Sequence, residues 1–333
     1  MHSELISWPN KLSQGKQVAI TCINHYPSLL KSQKRFIFAG MGGSGIAGRI
    51  LQTFLSKEST SQAIILDGPE LPAFVNSQDF AFVVSYSGNT WETLEIAKKL
   101  KTQKIPMLIL THGGNLQQMA RDHQIPCAIL PECSAPRAAL GYMLGFLVEL
   151  LAHYGFISNY LENWQQSLKK HLPCLSEQNH YSDFLNMVGF DDFFHIWGIT
   201  GDSSAVAYRA QTQFNENSKV QAVFSSFPEL NHNLLVGLTN FKKAPFILLF
   251  STDFISNELN TSQKSILSIL KDLGVRLYKT PNFGDTWQEQ LFMMIVWADF
   301  ASYYLGKIRK VDIISTKVID QLKASYLSNS QTP

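Results

Sequence analysis

The chain has 333 residues, 45% of them hydrophobic and 16% charged, with a formal net charge of +2. That length can bury a large core and suggests about two domains. The small net charge, with no Lys/Arg run beyond a solvated helix face, argues against a nucleic-acid surface.

The N-terminus, Met1-His2-Ser3-Glu4-Leu5, lacks a basic segment followed by an apolar one, which argues against a signal peptide. Apolar strand-like runs then alternate with helical patterns. In the first half, strands are expected at 35–40, 63–66, 80–84, 107–110 and 127–130, with long helical patterns between them and another helix at 138–153. The apolar helix around Ala138 to Ala152 is expected to be the longest, and it is too short, and interrupted by Glu149, to span a membrane. The pattern restarts with strands at 193–200, 220–224, 246–250 and 275–278. This alternation predicts an α/β fold of two doubly wound, flavodoxin-like domains with parallel sheets, 1–155 and 156–333, joined near Gly155–Tyr160. Cys22, Cys127, Cys133 and Cys174 form no CxxC pair and no cluster at zinc-ligand spacing, so they read as reduced, structural thiols of a cytoplasmic protein.

The most informative segment follows the third strand: Ser85-Tyr86-Ser87-Gly88-Asn89-Thr90, leading into an amphipathic helix from Trp91. A strand that enters a helix through hydroxyls and a glycine makes an anion cradle, because the first helical N–H groups lack intrahelical partners and the dipole is positive there. Ser85, Ser87 and Thr90 add short hydroxyl donors, a set suited to phosphate. The plainer alternative is an ordinary N-cap with Asn89 or Thr90 as the capping residue. Ligands of such sheets sit beyond the carboxyl ends of the strands, which places Gly42, Gly43 and Ser44 on the same edge. A second glycine/hydroxyl turn, Gly198 to Ser204, falls at the corresponding end in the second half.

Gly40-Met41-Gly42-Gly43-Ser44-Gly45 also satisfies GxGxxG between a strand and a helix, with Asp67 near the place of a ribose-binding acid. A nicotinamide dehydrogenase is therefore a rival reading. It explains neither the hydroxyl cradle nor the polar residues of the second half.

Five motifs occur in order: Gly40-Met41-Gly42-Gly43-Ser44, Ser85-Tyr86-Ser87-Gly88-Asn89-Thr90, Pro136-Arg137-Ala138-Ala139, Glu216-Asn217-Ser218-Lys219 and Pro228-Glu229-Leu230-Asn231-His232-Asn233. The set resembles the bifunctional phosphoglucose/phosphomannose isomerases, built from two sugar-isomerase (SIS) domains, over most of the chain. The resemblance implies interconversion of glucose 6-phosphate and fructose 6-phosphate, with mannose 6-phosphate as a further substrate, through a cis-enediol(ate) and with no metal or cofactor. Glu216 stands where the family keeps its base, Arg137 where it keeps a cation for the enediolate oxygen, and His232 where it keeps the ring-opening histidine. That histidine typically comes from a neighbouring subunit, which implies a homodimer. Gly43, Ser44, Ser85, Ser87 and Thr90 would bind the substrate. Lys323 would assist at the sugar ring and Thr316 would leave room for rotation about C2–C3. No nucleic acid or membrane partner is implied.

Each residue also has a structural alternative. Arg137 could be a helix-start salt-bridge partner, Glu216 a surface carboxylate paired with Lys219, His232 a cap or core histidine, and Lys323 a solvated tail lysine. His112, His123 and His195 read as structural. The chain departs from the family pattern at Leu234 and Arg49, where acidic residues are usual, and at Ile313, where proline is usual. The rival from another class is a non-catalytic SIS module that senses a sugar phosphate; it would not need Glu216, His232 and Arg137 together. An amino-sugar phosphate isomerase would share the loop but normally carries an amidotransferase domain.

Overall fold

The computed structural model of the chain describes residues 1–31 and 33–329. Helices α1 (His2–Ile6) and α2 (Trp8–His25) precede strand β1 (Arg35–Ala39), helix α3 (Gly42–Glu58) and strand β2 (Gln62–Leu66). Then come β3 (Phe80–Val84), α4 (Trp91–Thr102), β4 (Met107–Thr111), α5 (Gly114–His123), β5 (Cys127–Ile129) and α6 (Leu140–His153). Helices α7 (Leu161–Leu175) and α8 (Ser182–Val188) lead to β6 (Phe193–Ile199), α9 (Ser204–Gln213), β7 (Gln221–Phe227) and the short α10 (Leu234–Gly237). The chain continues through β8 (Phe246–Leu249), α11 (Asn257–Asp272), β9 (Arg276–Lys279), α12 (Trp287–Ile308) and α13 (Lys317–Asn329).

All the expected strands form. The first sheet has the order β2-β1-β3-β4-β5 and the second β7-β6-β8-β9, and every neighbouring pair is parallel. Counted from its own first strand, the second sheet therefore repeats the 2-1-3-4 order of the first, the doubly wound arrangement expected. The central strands β3 and β4 are buried throughout, which is why they read as unbroken apolar runs.

Two features differ from expectation. Residues 67–79, between β2 and β3, form no helix, because Pro69 and Pro72 each remove a backbone donor within a few residues. The matching connection from β7 to β8 holds only a 3-10 turn, Glu229–His232, and α10. The longest apolar helix is α12, not the one near residue 138. It is long and apolar enough to cross a membrane by length and composition, yet 83% of its most apolar stretch is buried inside the protein. A capping box of Thr286 and Glu289 starts it.

One apolar cluster joins the inner faces of both sheets through α2, α6, α7 and α12; the stacking of Trp164 on Phe292, 4.5 Å between centroids, lies within it. Two smaller clusters cover the outer faces. Gly155, at a φ of +76°, lies in the turn between α6 and α7, and the large apolar cluster includes residues on both sides of it. All four cysteines are free thiols.

Candidate active site

Strand order reverses between β1 and β3, so their carboxyl ends open a crevice. Gly88 makes the turn after β3: its φ is +67°, and a Cβ there would lie 1.8 Å from the Gly113 carbonyl oxygen, so only glycine fits. The Ser85 and Thr90 hydroxyls lie 3.0 Å apart, and Ser87 Oγ accepts from the Asn89 N–H at 3.3 Å. Thr90 is the N-cap residue of α4 but makes no side-chain cap bond, and the Asn89 amide oxygen instead accepts from the Asn115 N–H. Neither residue acts as the side-chain cap that the plainer alternative required. Ser44, at the start of α3, joins the same edge by accepting from the Tyr86 N–H at 3.1 Å. Ser85 and Ser44 are buried, Ser87 is exposed and Thr90 half-buried.

A second cluster meets this one at Gly43. A Cβ there would lie 3.0 Å from Arg137 Cα, so the missing side chain lets the glycine turn abut the 3-10 turn Pro136–Ala139 that carries Arg137. The Arg137 side chain is 4% exposed. Its Nη1 donates to the Glu216 carboxylate at 3.0 Å, its Nε to Asn217 Oδ1 at 2.9 Å, and its Nη2 to the carbonyls of Ile313 at 2.6 Å and Ile314 at 3.2 Å. Burial lowers the guanidinium from its ordinary value while Glu216 pulls it back up; an arginine so placed stays a cation.

Glu216 and Asn217 lie on a π-helical turn, Phe214–Ser218, that continues α9 and ends at Lys219 in a left-handed conformation. The wider π spacing brings both side chains to Arg137. The Glu216 carboxylate pairs with Arg137, not with Lys219, whose ammonium donates to the carbonyls of Glu216 and Ser315. Burial, then the nearby Arg137 charge, lowers the Lys219 ammonium. Arg137 and Lys219 thus clasp the strap 313–315 that leads to Thr316 and α13.

Two family models match: one described as the bacterial phospho-glucose isomerase C-terminal SIS domain, over residues 185–325, and the SIS domain, over residues 29–150. A protein of Caldicellulosiruptor bescii named bifunctional phosphoglucose/phosphomannose isomerase is 29% identical over 301 residues, covering 87% of this chain and 88% of that protein. One of the same name from Thermoplasma volcanium is 30% identical over 297 residues, covering 87% of this chain and 90% of that protein. The chain belongs to the bifunctional phosphoglucose/phosphomannose isomerase family. That membership makes it an enzyme of the aldose–ketose isomerase class. The solved tagatose-6-phosphate ketose/aldose isomerase of Escherichia coli shares the fold, with a TM-score of 0.69, 14% identity, and 94% and 93% of the two chains covered.

The structure brings Gly43, Ser44, Ser85, Ser87, Thr90, Arg137 and Glu216 to one region. It does not bring His232 there by any bond: that side chain is exposed on the turn after β7, and no hydrogen bond or ion pair joins it to another described residue. Thr316 lies just ahead of α13, where its carbonyl accepts from the Ile319 and Asp320 N–H groups, and Lys323 is exposed on that helix. The family departures have local partners. Arg49 pairs with Asp67 and lies over the Tyr208 ring at 4.5 Å, which occupies the acid that a dinucleotide reading would need. Leu234 packs onto the second sheet's outer apolar cluster. Ile313 offers Arg137 only its carbonyl, so its side chain is not used there.

Sequence reasoning missed Asn217, Lys219, Ser302 and the buried pair Arg209–Asp299 (Nη2 to Oδ2, 2.8 Å), whose arginine also donates to the Arg137 carbonyl at 3.1 Å. It also missed Tyr86, whose hydroxyl accepts from the Cys133 N–H at 2.6 Å and donates to the Pro131 carbonyl at 3.1 Å, tying the hydroxyl loop to the segment before Arg137. Asn217, Lys219 and Tyr86 sit inside the quoted motifs, where Lys219 stands only as a surface partner for Glu216; Ser302, Arg209 and Asp299 carry no local signal. Among the described residues, no group of three or more His, Cys, Asp or Glu side chains is placed to hold a metal ion.

Proposed function

We propose that this chain interconverts glucose 6-phosphate and mannose 6-phosphate with fructose 6-phosphate through a cis-enediolate, with Glu216 as the base. The observation that carries this reading is the 3.0 Å contact of the buried Arg137 guanidinium with the Glu216 carboxylate, beside the Gly43 turn. Isomerisation needs a carboxylate to take the proton from C2 of the open-chain aldose and return it to C1. It also needs a fixed cation at the oxygen where negative charge develops. Those two groups stand together next to a hydroxyl cradle that suits the 6-phosphate: Ser44, Ser85, Ser87 and Thr90, with the N-terminus of α4. Thr316 and Lys323 follow the strap that Arg137 holds, which fits roles along the sugar. Ring opening falls to His232, and its exposure with no hydrogen bond or ion pair to another described residue fits delivery into the site of a second copy.

One experiment tests the base, the histidine and the dimer together. Glu216→Gln lowers turnover by at least roughly 10²–10⁴-fold while sugar phosphate still binds, and His232→Ala loses activity on cyclic substrate. Mixing the two variants under subunit exchange should restore activity, because one of the two hybrid sites then holds both Glu216 and His232. Near-normal turnover of Glu216→Gln would remove the base assignment. Failure of the mixture to recover, with hybrid dimers shown to form, would place His232 in its own chain's site. Binding by wild-type protein without turnover would return the chain to the sensing-module reading.

A further inference from the structure

Asn217 is fully buried and bridges the site to the core helix α12. Its Oδ1 accepts from Arg137 Nε at 2.9 Å and its Nδ2 donates to Ser302 Oγ at 3.0 Å. The single hydroxyl proton of Ser302 is donated to the Asp299 carbonyl at 2.9 Å, so Ser302 can only accept from Asn217. That fixes the amide with its oxygen toward the arginine. The acceptors around the guanidinium are then one carboxylate, Glu216, and three neutral oxygens from Asn217, Ile313 and Ile314. The other carboxylate in this buried region, Asp299, is held by both Arg209 and Gln213.

We infer that Asn217 is a positioning residue: a neutral, core-anchored acceptor that aims Arg137 at Glu216 and the reacting sugar without neutralising its charge. The physical reason is the low-dielectric setting. A buried cation exerts its field on a developing oxyanion most strongly when no second anion sits against it. A carboxylate at position 217 would keep the shape and the hydrogen bond but would quench that field, because a guanidinium pairs readily with a carboxylate in a fork. The inference rests on the reading of Arg137 as the cation for the enediolate oxygen.

The test compares Asn217→Asp, Ser302→Ala and Arg137→Ala for kcat and KM on fructose 6-phosphate across pH, with melting temperature measured alongside. Asn217→Asp should lower kcat roughly 10- to 100-fold with KM little changed, and the deficit should narrow as pH falls, since protonating the new carboxyl makes it a neutral acceptor again. Ser302→Ala, which leaves the guanidinium contact but takes the acceptor from the buried Asn217 Nδ2, should lower kcat by less than Asn217→Asp, with a fall in melting temperature from the unsatisfied donor. If Arg137→Ala keeps normal kcat, the reading of the arginine itself fails. If Arg137→Ala is inactive but Asn217→Asp keeps normal kcat, or loses it equally at every pH in step with its melting temperature, the positioning role is overturned. Should Asn217→Asp fail to fold, an unchanged kcat in Ser302→Ala overturns it equally.

Discussion

The two sheets share a strand order but finish their carboxyl edges with opposite chemistry. At the first edge, Ser44 from the turn after β1 accepts a backbone N–H from the turn after β3, at 3.1 Å from Tyr86 N. At the second, the acceptor from the turn after β6 is a carboxylate: Asp202, 4% exposed, takes the Thr252 N–H at 3.2 Å and its hydroxyl at 2.8 Å, with Lys57 3.6 Å away. The helices after the third strands differ in the same sense. Thr90 leaves the N-terminus of α4 without a side-chain cap, whereas Ser256 caps α11 by accepting from the Leu259 N–H. Nearby Asp253 is held by Gln290 and Asn282. The second edge therefore carries its own anions against its donors, and a phosphate would meet like charge there. Repeating a fold does not repeat a site; filling the donors internally is enough to close one.

The largest effect expected from this difference lies in substrate affinity. Ser85→Ala and Ser87→Ala should each raise KM for sugar phosphate roughly 10- to 100-fold, at about 1.5–3 kcal/mol per hydrogen bond to a charged group. Steady-state kinetics decide it: a KM that stays within experimental scatter for both variants would remove the phosphate from this edge.

The second edge should respond in stability instead. Asp202→Ala leaves buried donors of Thr252 and the Lys57 charge without their partner, a loss of about 1–3 kcal/mol. KM should hold. Inorganic phosphate should raise the melting temperature of this variant more than that of the wild-type protein, because an anion can re-enter the vacated position. A rise in KM matching the Ser87→Ala variant would mean that the second edge also handles substrate.

How far this division was legible beforehand depended on the range of the contacts. The strands announced themselves as apolar runs bounded by turns, and the hydroxyl loop as a local string, since each feature lies within a few residues. Arg137 and Glu216 were found through a resemblance of motifs, but their pairing joins positions 79 apart in sequence and has no local signature. Asn217 could have been weighed from its place in the motif, whereas Asp299 and Ser302 look like stray polar residues on an apolar helix until α12 packs against the π-helical turn. Asp202 lies in a turn whose glycines and hydroxyls resemble those of the first edge, and nothing local marks that this one carboxylate takes the Thr252 donors and reverses the role of the edge. Residues 67–79 sit within a general alternation of strands and helices that their two prolines break.

The smallest effect separates the two helix starts and sharpens the contrast most directly. Replacing an N-cap side chain that accepts a backbone N–H typically costs about 1 kcal/mol. Ser256→Ala should show that loss in denaturant unfolding, since its oxygen takes the Leu259 N–H, and it should leave KM alone. Thr90→Ala should do the reverse. Its hydroxyl meets Ser85 and no helical N–H, so stability should fall by a few tenths of a kcal/mol at most, while KM rises if, as proposed, that hydroxyl joins the open donors of α4 in holding the phosphate. If Thr90→Ala is destabilised as much as Ser256→Ala with KM unchanged, Thr90 is an ordinary cap after all. The first edge would then differ from the second only in lacking a carboxylate.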